Sequence, residues 1–157
     1  MKITFVQVGK TEDECFRQLV GIYERRLERY VSFETRFISN VRNAGRLSEW
    51  QLKEKEGAAI LDCLQPLDYV VLLDEKGKIV SSQEFAGYIE KKTTQSIRSL
   101  VFVAGGAFGF SPAVYERANE KLSLSCMTFT HQMVRLVFTE QLYRAFSIIK
   151  HEPYHHG

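Results

Sequence analysis

Apolar residues follow two rhythms along this chain. Short unbroken or alternating runs rich in Val, Ile, Leu and Phe take turns with longer stretches in which apolar positions recur every three or four residues. Lys2 to Val8 reads as a strand ending at Gly9, and Thr11-Glu12-Asp13-Glu14 as a capping box. Phe16, Leu19, Tyr23, Leu27 and Tyr30 then follow at helical spacing. Val31, Phe33, Thr35 and Phe37 alternate with Ser32, Glu34 and Arg36, the mark of a half-exposed strand. Ser39 to Leu47 is polar and reads as a loop. Ser48-x-x-Gln51 caps a second helix through Trp50, Ile60, Leu61 and Leu64, which Pro66 ends.

Tyr69 to Leu73 is a continuous apolar run, expected of a strand covered on both faces, and Asp74-Glu75-Lys76-Gly77-Lys78 reads as a turn after it. Ser81-x-x-Glu84 caps a third helix carrying Phe85, Ala86 and Ile89. Leu100 to Ala104 is a further buried strand, breaking into Gly105-Gly106-Ala107-Phe108-Gly109. Ser111-Pro112 starts a short helix, with proline where its missing N–H costs nothing. Leu122 to Phe129 is strand-like. A last helix, about 131 to 150, is expected to bury Val134, Val137, Leu142, Ala145, Ile148 and Ile149.

Five strands alternating with five helices predict an α/β fold, with a mostly parallel sheet flanked by helices. With no internal repeat or linker, residues 1–157 read as one domain, long enough to bury ~70% of the unfolded surface. In such sheets ligands bind beyond the carboxyl ends of the strands. Glycine there lets backbone approach a ligand closely. The turn after Ala104, with Leu73-Asp74 and Leu124 to Phe129 at the ends of neighbouring strands, is therefore the candidate pocket.

Composition narrows the partners. A hydrophobic content of 45% with 25% charged residues fits a folded soluble domain, and a net charge of +2 carries no global nucleic-acid signature. The charge is uneven, however. Seven arginines (17, 25, 26, 29, 36, 42, 46) face three glutamates (24, 28, 34) between positions 17 and 46. Guanidinium forks suit phosphate, so an RNA-facing surface and a solvated helix face with i,i+4 pairs are both open. The three cysteines (15, 63, 126) lack Cys-x-x-Cys spacing, which points away from disulfides and zinc and toward the reducing cytoplasm. The first apolar run is too short for a secretory signal, and no membrane span is expected. Gly105-Gly106-x-x-Gly109 matches neither the dinucleotide fingerprint nor a Walker A loop.

Taken together, ordered motifs along the whole chain carry a resemblance. They are Lys2-Ile3-x-x-x-x-Val8-Gly9-Lys10, Lys53-Glu54-Lys55-Glu56-Gly57, Leu72-Leu73-Asp74-x-x-Gly77-Lys78 and Val103-Ala104-Gly105-Gly106-x-x-Gly109. Leu122-Ser123-Leu124-Ser125-x-Met127-Thr128-Phe129, His131-Gln132-x-x-Arg135, Glu140-Gln141-x-Tyr143-Arg144-Ala145 and Pro153-Tyr154-His155 follow. The chain resembles the RlmH family of SPOUT-class bacterial methyltransferases, which methylate N3 of a pseudouridine in large-subunit (23S) ribosomal RNA. Departures are Ala107-Phe108 in the glycine turn, Thr130 where the family usually has proline, and His156-Gly157 at the end. Thr130 bears on how the chain enters the last helix.

The resemblance implies a C-terminal deep trefoil knot, which no sequence pattern predicts, since general rules make knots essentially absent. It also implies a homodimer, S-adenosylmethionine as cofactor, and ribosomal RNA as partner in the cytoplasm, with no metal and no membrane. By match, the cofactor contacts are Leu73, Gly105, Gly106, Leu124, Ser125, Cys126, Met127, Thr128 and Phe129. For Cys126, a small buried apolar role is the competing reading. Methyl transfer from a sulfonium is mainly a matter of alignment. The imide proton on N3 must leave, which gives His155 and Tyr154 a candidate acid–base role, with Arg135 and Arg144 steadying charge. His131 is expected to cap or pack. A related enzyme acting on another RNA, and a non-enzymatic RNA-binding module, stand as alternatives.

Overall fold

The computed structural model describes residues 1–153. The five strands are β1 (Lys2–Val8), β2 (Ser32–Ile38), β3 (Tyr69–Ile79), β4 (Ser99–Ala104) and β5 (Glu120–Ser123). The helices are α1 (Glu14–Leu27), α2 (Glu49–Cys63), α3 (Ser82–Thr94), α4 (Pro112–Arg117) and α5 (His131–Ile149). The strands form one sheet in the order β2-β1-β4-β3-β5, every pairing parallel.

The unbroken apolar runs make sense once both sheet faces are seen to be covered. Because side chains alternate along a strand, Phe5, Val71, Leu100 and Phe102 point to one face, where they meet Phe85, Ile89, Phe138 and Leu142 of α3 and α5. Val6, Val70, Leu72, Val101 and Val103 point to the other, against Ile60 of α2 and Val114 of α4. Phe138 sits at the centre of the first face, its ring 4.4 Å from that of Phe5 and 4.8 Å from that of Phe102. Edge strand β2 is half-exposed, as its alternation predicts.

Several elements depart from the sequence reading. The cap of α1 is Asp13, whose carboxylate accepts from the N–H groups of Cys15 and Phe16. Thr11 is instead buried and engaged elsewhere. Leu19 and Ile22 on α1 are exposed, and Val20 and Leu27 take the core positions. In α5 the buried face is Arg135, Phe138, Thr139, Leu142, Ala145, Phe146 and Ser147, with Val134, Val137, Ile148 and Ile149 only half-buried. The hydropathy stripe misleads because Thr139 and Ser147 donate to the carbonyls of Arg135 and Tyr143, four residues back. Their hydroxyls can therefore be buried at little cost.

The expected turn at 74–78 is the largest departure. β3 continues to Ile79 and rejoins β5 after a register break, pairing Leu73 with Leu122 and then Lys78 with Leu122 again. Gly77 permits the rejoining, since a Cβ there would lie 2.5–2.8 Å from the backbone of Leu122. Conversely, the strand-like segment predicted over 122–129 is strand only to Ser123. Its remainder is irregular chain, stripped of pairing partners at the sheet's end.

Candidate functional site

That irregular chain closes over a cleft. The carboxyl ends of β3, β4 and β5 lie side by side, and a cavity of about 640 Å³ opens beyond them. Its walls come from three segments: Leu73 to Lys76, Ala104 to Phe110, and Ser123 to His131 apart from Cys126 and with the start of α5 behind. This volume falls in the usual range for a small-molecule site.

The glycine turn is built for close approach. Gly109 donates its N–H to the Gly106 carbonyl at 3.2 Å, leaving Ala107 and Phe108 at the tip. A Cβ on Gly106 would fall 2.3 and 2.7 Å from the two carboxyl oxygens of Glu56, and one on Gly105 would fall 2.9 Å from the Phe110 ring. The turn is thus packed closely against the Glu56 carboxyl of α2 and the Phe110 ring, and all its residues line the cavity. Opposite it, the Ser123 hydroxyl donates to the Ser125 carbonyl at 2.9 Å, and the Ser125 hydroxyl accepts the Met127 N–H at 2.9 Å. These bonds curl the segment, and none of its residues on that wall from Ser123 to Thr130 carries a charge.

Of the residues expected to hold a cofactor, Leu73, Gly105, Gly106, Leu124, Ser125, Met127, Thr128 and Phe129 all line the cavity. Cys126 does not. It is exposed, neither buried as a small apolar residue nor turned inward, because the curl at Ser125 directs it outward. Thr130 caps α5, accepting the Met133 N–H, so it supplies a side-chain cap where proline would have none. His131 therefore does not cap; it is exposed and lines the cavity.

The two arginines differ. Arg135 is 1% exposed. Its guanidinium donates to Thr11 Oγ1 at 2.9 Å, to the Val8 carbonyl at 2.6 Å and to the Gly9 carbonyl at 2.9 Å. Burial pushes its pKa down from the usual arginine value, with the Glu12 carboxylate pulling the other way. It lines the cavity, but its donors are committed to fastening α5 onto the end of β1. Arg144 pairs with Glu140 one turn earlier on α5, at 2.5 Å, and lines no part of this cavity. Tyr154 and His155 lie outside the described residues.

Sequence reading missed several participants. It places Asp74 at the pocket, but Glu75 and Lys76 join it on the rim because β3 loops out at its register break. Tyr115 of α4 donates its hydroxyl to Asp74, and burial together with that carboxylate lifts the phenol to about 12. Glu56 backs the glycine turn; in sequence it belongs to the charged Lys53-to-Gly57 motif, which gives it no site role. Among the described residues no cluster of His, Cys, Asp and Glu could hold a metal, and no helix is long and apolar enough to cross a membrane.

Burial also raises the Glu56 carboxyl above the ordinary range. A carboxyl shifted this way contributes stability that is fully present below its unfolded pKa and lost as pH rises through the folded value. Glu56→Gln should therefore match the parent in acid and exceed it above neutrality in urea unfolding. Identical pH slopes for the two proteins would show that Glu56 ionises freely.

Comparison with known proteins agrees with this geometry. A family model described as predicted SPOUT methyltransferase matches residues 1–155. The chain is 53% identical to "Ribosomal RNA large subunit methyltransferase H" of Parabacteroides distasonis, over 156 residues and 99% of each chain. It is 52% identical to the protein of that name from Porphyromonas gingivalis and 49% to that from Flavobacterium psychrophilum, again over 99% of each. A solved structure of a probable methylase family protein from Haemophilus influenzae shares the fold with a TM-score of 0.51 at 12% identity. That likeness covers 95% of this chain and 66% of the other. A parallel sheet with a cleft beyond β3, β4 and β5, matched by the family model over residues 1–155, places this chain in the SPOUT methyltransferase family.

Proposed function

We propose that the chain methylates N3 of a pseudouridine in large-subunit ribosomal RNA, using S-adenosylmethionine, in the cytoplasm and as a homodimer. The observation that carries this is the cleft itself, walled by the glycine turn and the segment after β5, with the Glu56 carboxyl directly behind Gly106. It occurs in a chain about half identical, end to end, to proteins named as large-subunit ribosomal RNA methyltransferases. Knotting of the segment after β5 belongs to the same proposal.

The residues fit the cofactor. Leu73, Leu124, Met127 and Phe129 offer apolar walls for a planar base. The backbone of Gly105, Gly106, Leu124, Ser125 and Met127 to Phe129 offers donors and acceptors, and none of these residues carries a charge. When bound, S-adenosylmethionine supplies a methyl group already activated by the sulfonium charge. The protein's task is then to align the attacking nitrogen and to receive its proton. Arg135 sets the geometry by fixing the start of α5 against β1.

We assign proton removal to His155, assisted by Tyr154. Their own cavity is a poor destination. His131 lies at the cavity, and the 19 residues of α5 carry the chain about 28 Å away from it. Glu152 is then held to the Tyr30 hydroxyl at 2.5 Å, near the far end of α1. From that anchor the three residues to His155 span at most ~10 Å, which supports a site completed by the tail of a second copy. The exposed Leu19 and Ile22 on α1, which packs on α5, offer apolar surface for that copy. Arg144, on α5 and away from the cavity, would reach substrate only in the same dimer.

The test is calorimetry with S-adenosylmethionine, followed by mass spectrometry of ribosomal RNA treated with the protein. Saturable binding and gain of one methylpseudouridine are expected. RNA binding without cofactor binding would establish the non-enzymatic alternative. His155→Ala should keep cofactor affinity and slow methyl transfer on the order of 100-fold; full activity would exclude the tail from the chemistry.

A further inference from the structure

A second cavity, about 900 Å³, opens on the other side of the Arg135 tie. It lies beyond the carboxyl ends of β1 and β2 and against α1. Gln7, Thr11, Val20 and Ile38 are its buried members, and Lys10, Glu12, Arg17, Phe37, Ser39 and Asn40 are its exposed ones. Gln7 is 1% exposed, yet its side-chain Oε1 has no hydrogen-bond partner among the described residues. A buried carbonyl oxygen in that state costs roughly 1–3 kcal/mol and signals a missing donor.

We propose that this cavity receives an unstacked adenine base of the RNA substrate, read by Gln7 in its floor. The inference rests on the RNA-methyltransferase reading above. A glutamine amide matches adenine in particular, its oxygen accepting the exocyclic N–H while its nitrogen faces a ring nitrogen. Phe37, 48% exposed at the rim, gives the base an aromatic face to stack on. Lys10 and Arg17 stand beside it for the backbone phosphates, although Arg17 shares its charge with Glu14. Glu12 and Glu24 also line the cavity, and Glu24 accepts from the Thr35 hydroxyl. With both signs present, a free polyanion has little reason to settle here. A base delivered on a strand does.

The position suits such a contact. Thr11 belongs to the floor of this cavity and accepts from Arg135, which lines the cofactor cavity. A single buried bond thus separates the two, so one strand of RNA could place a target base in one and a neighbouring base in the other. RNA-modifying enzymes hold splayed nucleotides in this way.

The probe is a short single-stranded RNA containing adenine, against the same RNA carrying purine, which lacks the exocyclic amino group. At fixed salt, the parent protein should bind the adenine form about tenfold more tightly. Gln7→Leu should erase that preference while melting no lower than the parent. Phe37→Ala should weaken both RNAs alike. Equal affinity of the parent for the two RNAs, or a preference that survives Gln7→Leu, would overturn the assignment. So would a Gln7→Leu protein that is only more stable, with unchanged RNA binding, or binding at this cavity of a ribosomal protein peptide instead. Methyl transfer to ribosomal RNA is measured in parallel. Transfer without adenine preference would sink the second cavity alone, and no transfer by the parent protein would sink the reading beneath it.

Discussion

Gly106→Ala is expected to weaken S-adenosylmethionine binding on the order of 100-fold, equivalent to roughly 3 kcal/mol of overpacking. The added Cβ would meet both carboxyl oxygens of Glu56 at 2.3 and 2.7 Å, and Glu56 belongs to a helix packed on the sheet. Glu56 is only 8% exposed, so its carboxyl has little room to swing aside and the strain falls on the turn at the cavity wall. Because the clash has one named partner, it has a named cure. Gly106→Ala combined with Glu56→Ala should recover most of the affinity, read by calorimetry, with circular dichroism unchanged throughout. Parent-like affinity in the single variant would remove this turn from the cofactor site.

Arg135→Met is expected to destabilise the fold by about 3–4 kcal/mol, lowering the melting temperature by roughly 10 °C. Methionine replaces most of the buried volume but leaves the carbonyls of Val8 and Gly9 and the hydroxyl of Thr11 without their donor. Arg135→Lys should rescue little, since one ammonium cannot reproduce a fork that reaches three oxygens. Thermal melting of the three proteins checks this. A small loss for Arg135→Met would mean that water or the backbone satisfies those groups, and that α5 is held to β1 by packing alone.

Much of this molecule was legible before its structure. Continuous apolar runs at Tyr69 to Leu73 and Leu100 to Ala104 announced strands covered on both faces, and the Ser48 and Ser81 capping boxes marked helix starts that the structure reproduces. What remained hidden depends on contacts distant in sequence. The register break in β3 is stabilised by Leu122, far along the chain, so a local reading of Asp74 to Lys78 could see only turn residues. Arg135 looked like a charge for substrate because nothing local reveals that Val8 and Gly9 end beside it. Glu56 sat in a run of alternating charges that resembles a solvated face, and only the packing of α2 behind Gly106 distinguishes it.

The break in β3 has a consequence for how this cleft can change. Leu73 and Lys78 are both pinned to the same partner, Leu122, so the residues between them hang from two fixed points like the handle of a bucket. Lengthening or recolouring Asp74, Glu75 or Lys76 alters the lip that a ligand crosses while the strands beneath keep their alignment. Evolution can thus retune admission to the cleft independently of the scaffold, and a one-residue insertion after Glu75 should shift ligand exchange rates while leaving the unfolding transition where it was.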